Sequence, residues 1–385
     1  MASNNNKRVL VLTDWFAPGY KAGGPIQSCV NFCLAMKDEY EIYVLSKDTD
    51  LNDETPYQGI KANQWVAFSN TSVHVYYFSK QNLRYENMQA VINQVKPDFI
   101  YLNHMFSLHF VIFPLWMHWR GKLQSKIIIC PRGALYHSAM HHQQSYLKKI
   151  TFIYIAKWLG LFKSLTFQAT SEREKDAIQY YFLDAKIIVA NNFSNRFQNN
   201  FATLEKSVGA LRIIFIARVL PIKNLLFFLE VLCSAKASIN FTIVGPIEDT
   251  NYWVKCQRII AALPPNISVE YVGAKANNEL DALLRNNHLY VLPTVGENFG
   301  HSIFEAFLSG RPVLISDQTP WKNLEEQKIG WDIALINPDQ FIEAIEKAAS
   351  WSQPEFDEYA YLAWDFARVF NSESGETIRY KELFS

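Results

Sequence analysis

Residues 288–308 read HLYVLPTVGENFGHSIFEAFL, and the reading of this stretch decides the fold. His288–Leu292 is a short apolar run of strand type, the proline and two glycines that follow break it, and an apolar periodicity restarts at Ile303. A helix opening near Gly300 buries Ile303, Phe304, Phe307 and Leu308 as one stripe. Glu305 then points sideways one turn into that helix, and Glu297 sits in the loop before it. Two carboxylates at different depths can each accept hydroxyls of a ribose or another sugar, and the amides of Phe299, Gly300 and His301 at the helix start can hold an anion.

This strand-loop-helix unit recurs along the chain. In the first half strands are expected at 9–12, 41–45, 73–78, 99–102, 126–129, 165–168 and 186–189, most of them separated by helical stretches. In the second half they are expected at 211–217, 240–244, 268–272, 288–292 and 312–315. Such alternation belongs to parallel α/β sheets. Residues 191–208 are crowded with asparagine and break the rhythm, which places a linker there. The expectation is α/β: two Rossmann-like parallel-sheet domains facing a central cleft, the usual ligand position outside the carboxyl ends of the strands. Residues 1–200 would form the first domain and 201–353 the second, with a helical segment at 354–385 crossing back to the first.

A chain of 385 residues exceeds what one core usually supports, which agrees with two domains. Lys plus Arg and Asp plus Glu each total 37, a balance that argues against a general nucleic-acid binder. The five cysteines include no C-x-x-C pair, so neither a disulfide framework nor a zinc knuckle is indicated and a reducing cytoplasm fits. Cys29 and Cys33 share a helix face and are expected in the core. The opening MASNNNKRVLVLTDWF has too short an apolar run for a secretory signal, and no run reaches the roughly 20 apolar residues of a membrane span. His137, His141 and His142 include an i, i+4 pair without an acidic partner, so no metal is expected.

Three further places carry chemistry. After the first strand, Gly23, Gly24 and Pro25 open a helix whose amides can face an anion. Arg218 directly follows a buried strand, and Lys223 sits where the next helix starts. A lysine there opposes the helix dipole, which is easier to understand if a phosphate lies between it and the amides. Residues 145–163 set Lys148, Lys149, Lys157 and Lys163 among Phe152, Ile153, Ile155, Trp158, Leu161 and Phe162, with Leu115, Trp116 and Trp119 nearby in sequence. Two readings stay open for this segment: a core helix whose lysines reach out to solvent, or a face that rests on anionic lipid at the inner side of a membrane.

The chain resembles the retaining nucleotide-sugar glycosyltransferases of family four, which have the GT-B fold. The resemblance rests on Glu297-NFGHSIF-Glu305, the GG turn, Arg218 with Lys223, FTIVGP at 241–246, LPT at 292–294, and SGRPVLISD at 309–317 with the TPW after it. It implies that Arg218 and Lys223 grip the donor diphosphate, with Gly23 and Gly24 approaching it. Glu305 would hold the ribose hydroxyls, Glu297 the donor sugar near the reacting carbon, and Asn298, Phe299, Gly300 and His301 would line sugar and phosphate. Gly273 and Ala274 would lie near the nucleobase. Where many relatives carry H-x-H, this sequence has Asn103-His104, and a frequent HG is here Arg132-Gly133. Asn103, His104 and Arg132 are therefore candidates for sugar or acceptor contacts, His104 also for a catalytic role beside Glu297, Arg218 and Lys223. The resemblance implies a metal-independent hexosyltransferase without cofactor, taking a UDP-sugar to a glycan or lipid-linked acceptor in cell-envelope polysaccharide synthesis. A sugar-nucleotide epimerase of the same fold and a non-catalytic sugar-binding protein are the rival readings.

Overall fold

A computed structural model describes residues 7–141, 146–194, 200–373 and 375–385. The chain divides into two compact units, one of Met1–Phe193 with Gly375–Ser385 and one of Ser194–Ser374.

Among the described residues the first unit is built on eight strands: β1 (Arg8–Leu12), β2 (Glu41–Lys47), β3 (Trp65–Ala67), β4 (His74–Phe78), β5 (Phe99–Leu102), β6 (Lys126–Ile129), β7 (Thr166–Ala169) and β8 (Lys186–Val189). Their order across the sheet is β3-β4-β2-β1-β5-β6-β7-β8. All neighbours are parallel except β3 with β4. The second unit holds β9 (Ala210–Ile216), β10 (Ser238–Val244), β11 (Ile267–Tyr271), β12 (Leu289–Leu292), β13 (Val313–Ser316) and β14 (Gly330–Ile333), all parallel in the order β11-β10-β9-β12-β13-β14. Chain order reverses at β1 in the first sheet and at β9 in the second. At such a switch point the flanking crossovers leave to opposite faces and open a crevice at the strand carboxyl ends.

Strands such as FIYL (β5) and LYVL (β12) are buried along their whole length. An apolar run without alternation is what a parallel strand needs when helices cover both faces. Each large aliphatic side chain buried this way contributes about 1.5–3 kcal/mol. The two tyrosines on these strands keep their hydroxyls satisfied: Tyr101 donates to Gln168 Oε1 at 2.5 Å, and Tyr290 lies 2.7 Å from Ser302 Oγ. Cys29 and Cys33 are buried, as the helix face implies.

Two strands escape the sequence reading. β3 has only three residues and pairs antiparallel at the sheet edge, and β14 contains Gly330 and Asp332, which mask a strand pattern. The helical segment expected to cross back divides in two. Gln353–Glu373 packs in the second unit through Phe356, Tyr359, Ala360, Ala363 and Ala367. The helix Glu376–Leu383 belongs to the first unit, where Tyr380 and Phe384 lie against Phe32 at centroid distances of 5.4 and 5.6 Å. Glu376 fastens it by accepting from Asn191 N at 2.8 Å and Asn191 Nδ2 at 3.0 Å.

Candidate active site in the second unit

The loops that leave β9, β10, β12 and β13 meet at the carboxyl edge around the switch point. Gly245, after β10, has φ +141°, and a Cβ there would stand 2.0 Å from the Ala217 carbonyl oxygen. Only glycine lets the loops after β9 and β10 run so close. The Val219 amide then donates to Pro246 O at 2.8 Å, and this pairing presents Arg218 beside Glu248, with Nη1 2.5 Å from Oε2. Glu248 is the residue that sequence reasoning missed. It precedes Asp249, which caps the next helix, so the acidic pair reads as ordinary capping.

Lys223 ends a short 3₁₀ turn, Pro221–Lys223, and the left-handed Asn224 redirects the chain into the helix Leu225–Leu232. The turn is tied to the loop after β12, because Ile222 O accepts from Val295 N at 2.8 Å and from Thr294 Oγ1 at 2.9 Å. The Glu297 amide in turn donates to Gln318 O after β13 at 3.0 Å. With both backbones held, Lys223 Nζ lies 2.5 Å from Glu297 Oε2, and the two side chains are only 15% and 17% exposed. The ion pair therefore spans β9 and β12, the neighbours that flank the crevice.

The helix His301–Leu308 starts where the sequence indicates, capped by Gly300 with φ +77°. Its buried residues include Ile303, Phe304 and Phe307; Leu308 is half-buried, and Ala306 and His301 complete the inner face. Trp321 clamps the entry by donating from Nε1 to Phe299 O at 2.7 Å. Phe299 is 6% exposed, and its ring lies 5.3 Å from that of Trp321. Asn298 donates its amide to Glu297 Oε1 at 3.2 Å. Glu305 is half-buried one turn in. Burial pushes the Tyr290 hydroxyl pKa up, and the charges of Glu297 and Glu305 push it further. Gly273, with φ +75°, accepts from Gly245 N at 2.9 Å and so also holds the loop after β10; Ala274 beside it is half-buried.

In the first unit Gly23, with φ +66°, caps the helix Gly24–Met36. Asn103 and Arg132 are turned inward. Asn103 is 1% exposed, donates to Pro25 O at 3.3 Å and accepts from Arg132 Nε at 2.6 Å. Arg132 also donates to the Tyr101 hydroxyl at 2.7 Å and to Asn192. The pair thus joins the loops after β5, β6 and β8 to the start of the first helix, and a sugar contact by these groups would need them to leave those partners. His104 accepts at Nδ1 from Phe106 N at 3.2 Å. His142 and the His141 side chain lie outside the described residues, and among those described no group of three His, Cys, Asp or Glu converges as a metal site would require.

With this geometry in view, the second unit can be compared with known proteins. Residues 210–350 match the family described as Glycosyl transferases group 1. That matched segment runs from β9 through the helix Pro338–Ser350 and contains Arg218, Lys223, Glu297 and Glu305. Solved structures extend the likeness over both units. HepE from Anabaena, in complex with UDP and glucose, superposes with a TM-score of 0.68 at 15% identity over 97% of this chain and 99% of its own. Sucrose-phosphate synthase from Thermosynechococcus elongatus gives 0.68 at 13% identity over 98% and 99%. WaaG, a glycosyltransferase involved in lipopolysaccharide biosynthesis, gives 0.64 at 14% over 96% and 99%. The fold is that of the GT-B glycosyltransferases. A search of curated protein sequences returns no significant match.

Proposed function

We propose that the protein is a retaining glycosyltransferase that moves a hexose-type sugar from a UDP-sugar to a hydroxyl of a glycan or lipid-linked glycan, in cell-envelope polysaccharide synthesis. The observation that carries this reading is the Lys223–Glu297 pair at the switch point, beside the helix start at Gly300. A cation, a carboxylate and a helix start in one crevice suit a ligand with both an anionic and a hydroxyl-rich end. The group 1 match, which includes both residues of the pair, supports it.

In this account the diphosphate enters beside Arg218 and Lys223 and shares them with Glu248 and Glu297. As the bond from the anomeric carbon to the phosphate oxygen breaks, negative charge grows on the leaving diphosphate, and Arg218, Lys223 and the helix start stabilise it without reorganising. The acceptor oxygen bonds to the anomeric carbon from the same face, and its proton passes to the departing phosphate. Glu297, held by Lys223, keeps its charge near the sugar and stabilises the positive character at that carbon. Glu305 takes the ribose hydroxyls. No cofactor or divalent cation is required.

Release of UDP tests this. With donor and acceptor present, release should depend on acceptor and persist in a chelator. Conversion of the donor into its epimer without any acceptor or net UDP release would mark an epimerase, neither release nor conversion with any donor would mark a binding protein, and loss in chelator with rescue by magnesium would overturn the metal-free account.

A further inference from the structure

The helix Tyr146–Trp158 is apolar on both of its sides. At about 100° per residue, Ile153 and Ala156 point to the core, whereas Leu147, Tyr154 and Trp158 fall within about 40° of one another on the opposite face. These three are 72%, 64% and 84% exposed. Tyr180 and Leu183, from the next helix and its exit, are 79% and 76% exposed. Lys148 and Lys157 flank the outer stripe at about 90° to either side.

At the amino ends of β7 and β8 a groove of about 970 Å³ is lined by Trp119, Trp158, Lys157, Lys163 and Lys186, with Asp184 as its carboxylate. None of Lys148, Lys157, Lys163 and Lys186 forms an ion pair among the described residues. The sequence explains why. From Phe99 to Ser171 it contains no Asp or Glu at all, in a chain whose total charge is zero. The three strands of this carboxylate-free stretch, β5, β6 and β7, are neighbours in the sheet.

A soluble surface seldom leaves so much apolar area uncovered, and exposed Trp and Tyr between lysines match the interface of a bilayer rather than a protein partner's dry core. No helix among the described residues is long and apolar enough to cross a membrane. We infer that the outer face of Tyr146–Trp158, continued by Tyr180, Leu183 and the groove at Trp119, seats on the surface of an anionic bilayer. Leu147, Tyr154 and Trp158 enter the headgroup layer while Lys148, Lys157, Lys163 and Lys186 meet lipid phosphates. Lys149 has no part in this. It is half-buried and faces inward, donates to Ala139 O at 2.9 Å, and burial lowers its pKa, whereas Lys157, which donates to Tyr181 O at 2.7 Å, stays exposed. The inference stands apart from the donor site, since every residue in it lies in the first unit.

The test is co-sedimentation of the full chain with vesicles of phosphatidylcholine alone and of phosphatidylcholine with phosphatidylglycerol. Binding should appear only with phosphatidylglycerol and fade as salt rises. The double change Lys148→Glu, Lys157→Glu should lower it by about tenfold or more, and Trp158→Ser with Leu147→Ser should lower it even at low salt. All four positions are exposed, so circular dichroism and Tm should stay at wild-type values, and a variant that unfolds is replaced by Lys163→Glu. Absence of binding at low salt, binding untouched by both double changes, or self-association through this face in sedimentation equilibrium would each overturn the inference.

Discussion

Lys223 and Glu297, 74 positions apart in sequence, meet at 2.5 Å across the switch point of the second sheet. The pair changes what a substitution at either residue does. Removing Lys223 deletes a cation and also leaves a largely buried carboxylate unpaired.

Lys223→Ala should therefore weaken UDP binding more than Arg218→Ala, whose carboxylate partner Glu248 is more exposed at 24%. Each charge-assisted contact is worth about 1.5–3 kcal/mol. In Lys223→Ala with Glu297→Gln, part of the lost affinity should return, giving a coupling energy of about 0.5–3 kcal/mol. Calorimetric titration with UDP measures it, and strict additivity would show that the pair does not act at the nucleotide.

The two glutamates should separate by readout. Glu305→Ala is expected to weaken UDP binding, whereas Glu297→Gln keeps UDP affinity near the wild-type value and lowers turnover of bound donor. Equal damage to binding by both changes, with turnover intact, would reverse the roles proposed for them.

Gly300→Ala tests the helix entry. The residue holds φ +77°, and a Cβ would stand 2.7 Å from Ile303 Cδ1 and 3.2 Å from Glu297 Cγ. Strain of this kind costs about 1–3 kcal/mol, and relieving the contact displaces the Glu297 side chain. A lower denaturation midpoint and lower turnover should appear together; a variant with wild-type values for both would remove the geometric constraint from this account.

His288 is 3% exposed; its Nδ1 accepts from Arg212 N at 2.9 Å, and Nε2 lies 2.9 Å from Glu205 O. Burial lowers its pKa from 6.5 to about 4. Between those values the unfolded chain binds a proton that the folded chain refuses, so this stability is complete above pH 6.5 and drains away as pH falls to about 4. The full effect is on the order of 3 kcal/mol. Urea denaturation across this window should show a shallower pH slope for His288→Asn than for wild type, the slope rather than the level being the readout, and equal slopes would refute the assignment.

The parts of this molecule that could be read in the sequence are those set by local pattern. β5 and β12 are continuous apolar runs of a kind that only a covered parallel strand uses, and the helix at His301 is announced by a glycine directly before its periodic stripe. The pairing of charges could not be read the same way. Nothing near Arg218 or Lys223 in sequence names Glu248 or Glu297 as a partner, since strand order and loop closure decide who meets whom. Asn103 and Arg132 show the same limit, because polar residues at a strand's carboxyl end look alike whether they face a ligand or brace neighbouring loops. Lys149 and Lys148 are adjacent and identical, yet helix phase sends one inward and the other to solvent.

The division of the chain has a consequence during synthesis. Tyr380 and Phe384 fill the hollow between Phe32, Tyr40 and Phe99, and they leave the ribosome only after all of Ser194–Ser374. The second unit is contiguous and can close its core as it emerges, whereas the first, although translated earlier, waits for its last helix. A ribosome stalled just after Ser374 would display a complete second unit tethered to a first unit that still lacks its last helix, so the N-terminal half of this protein is the later one to be completed.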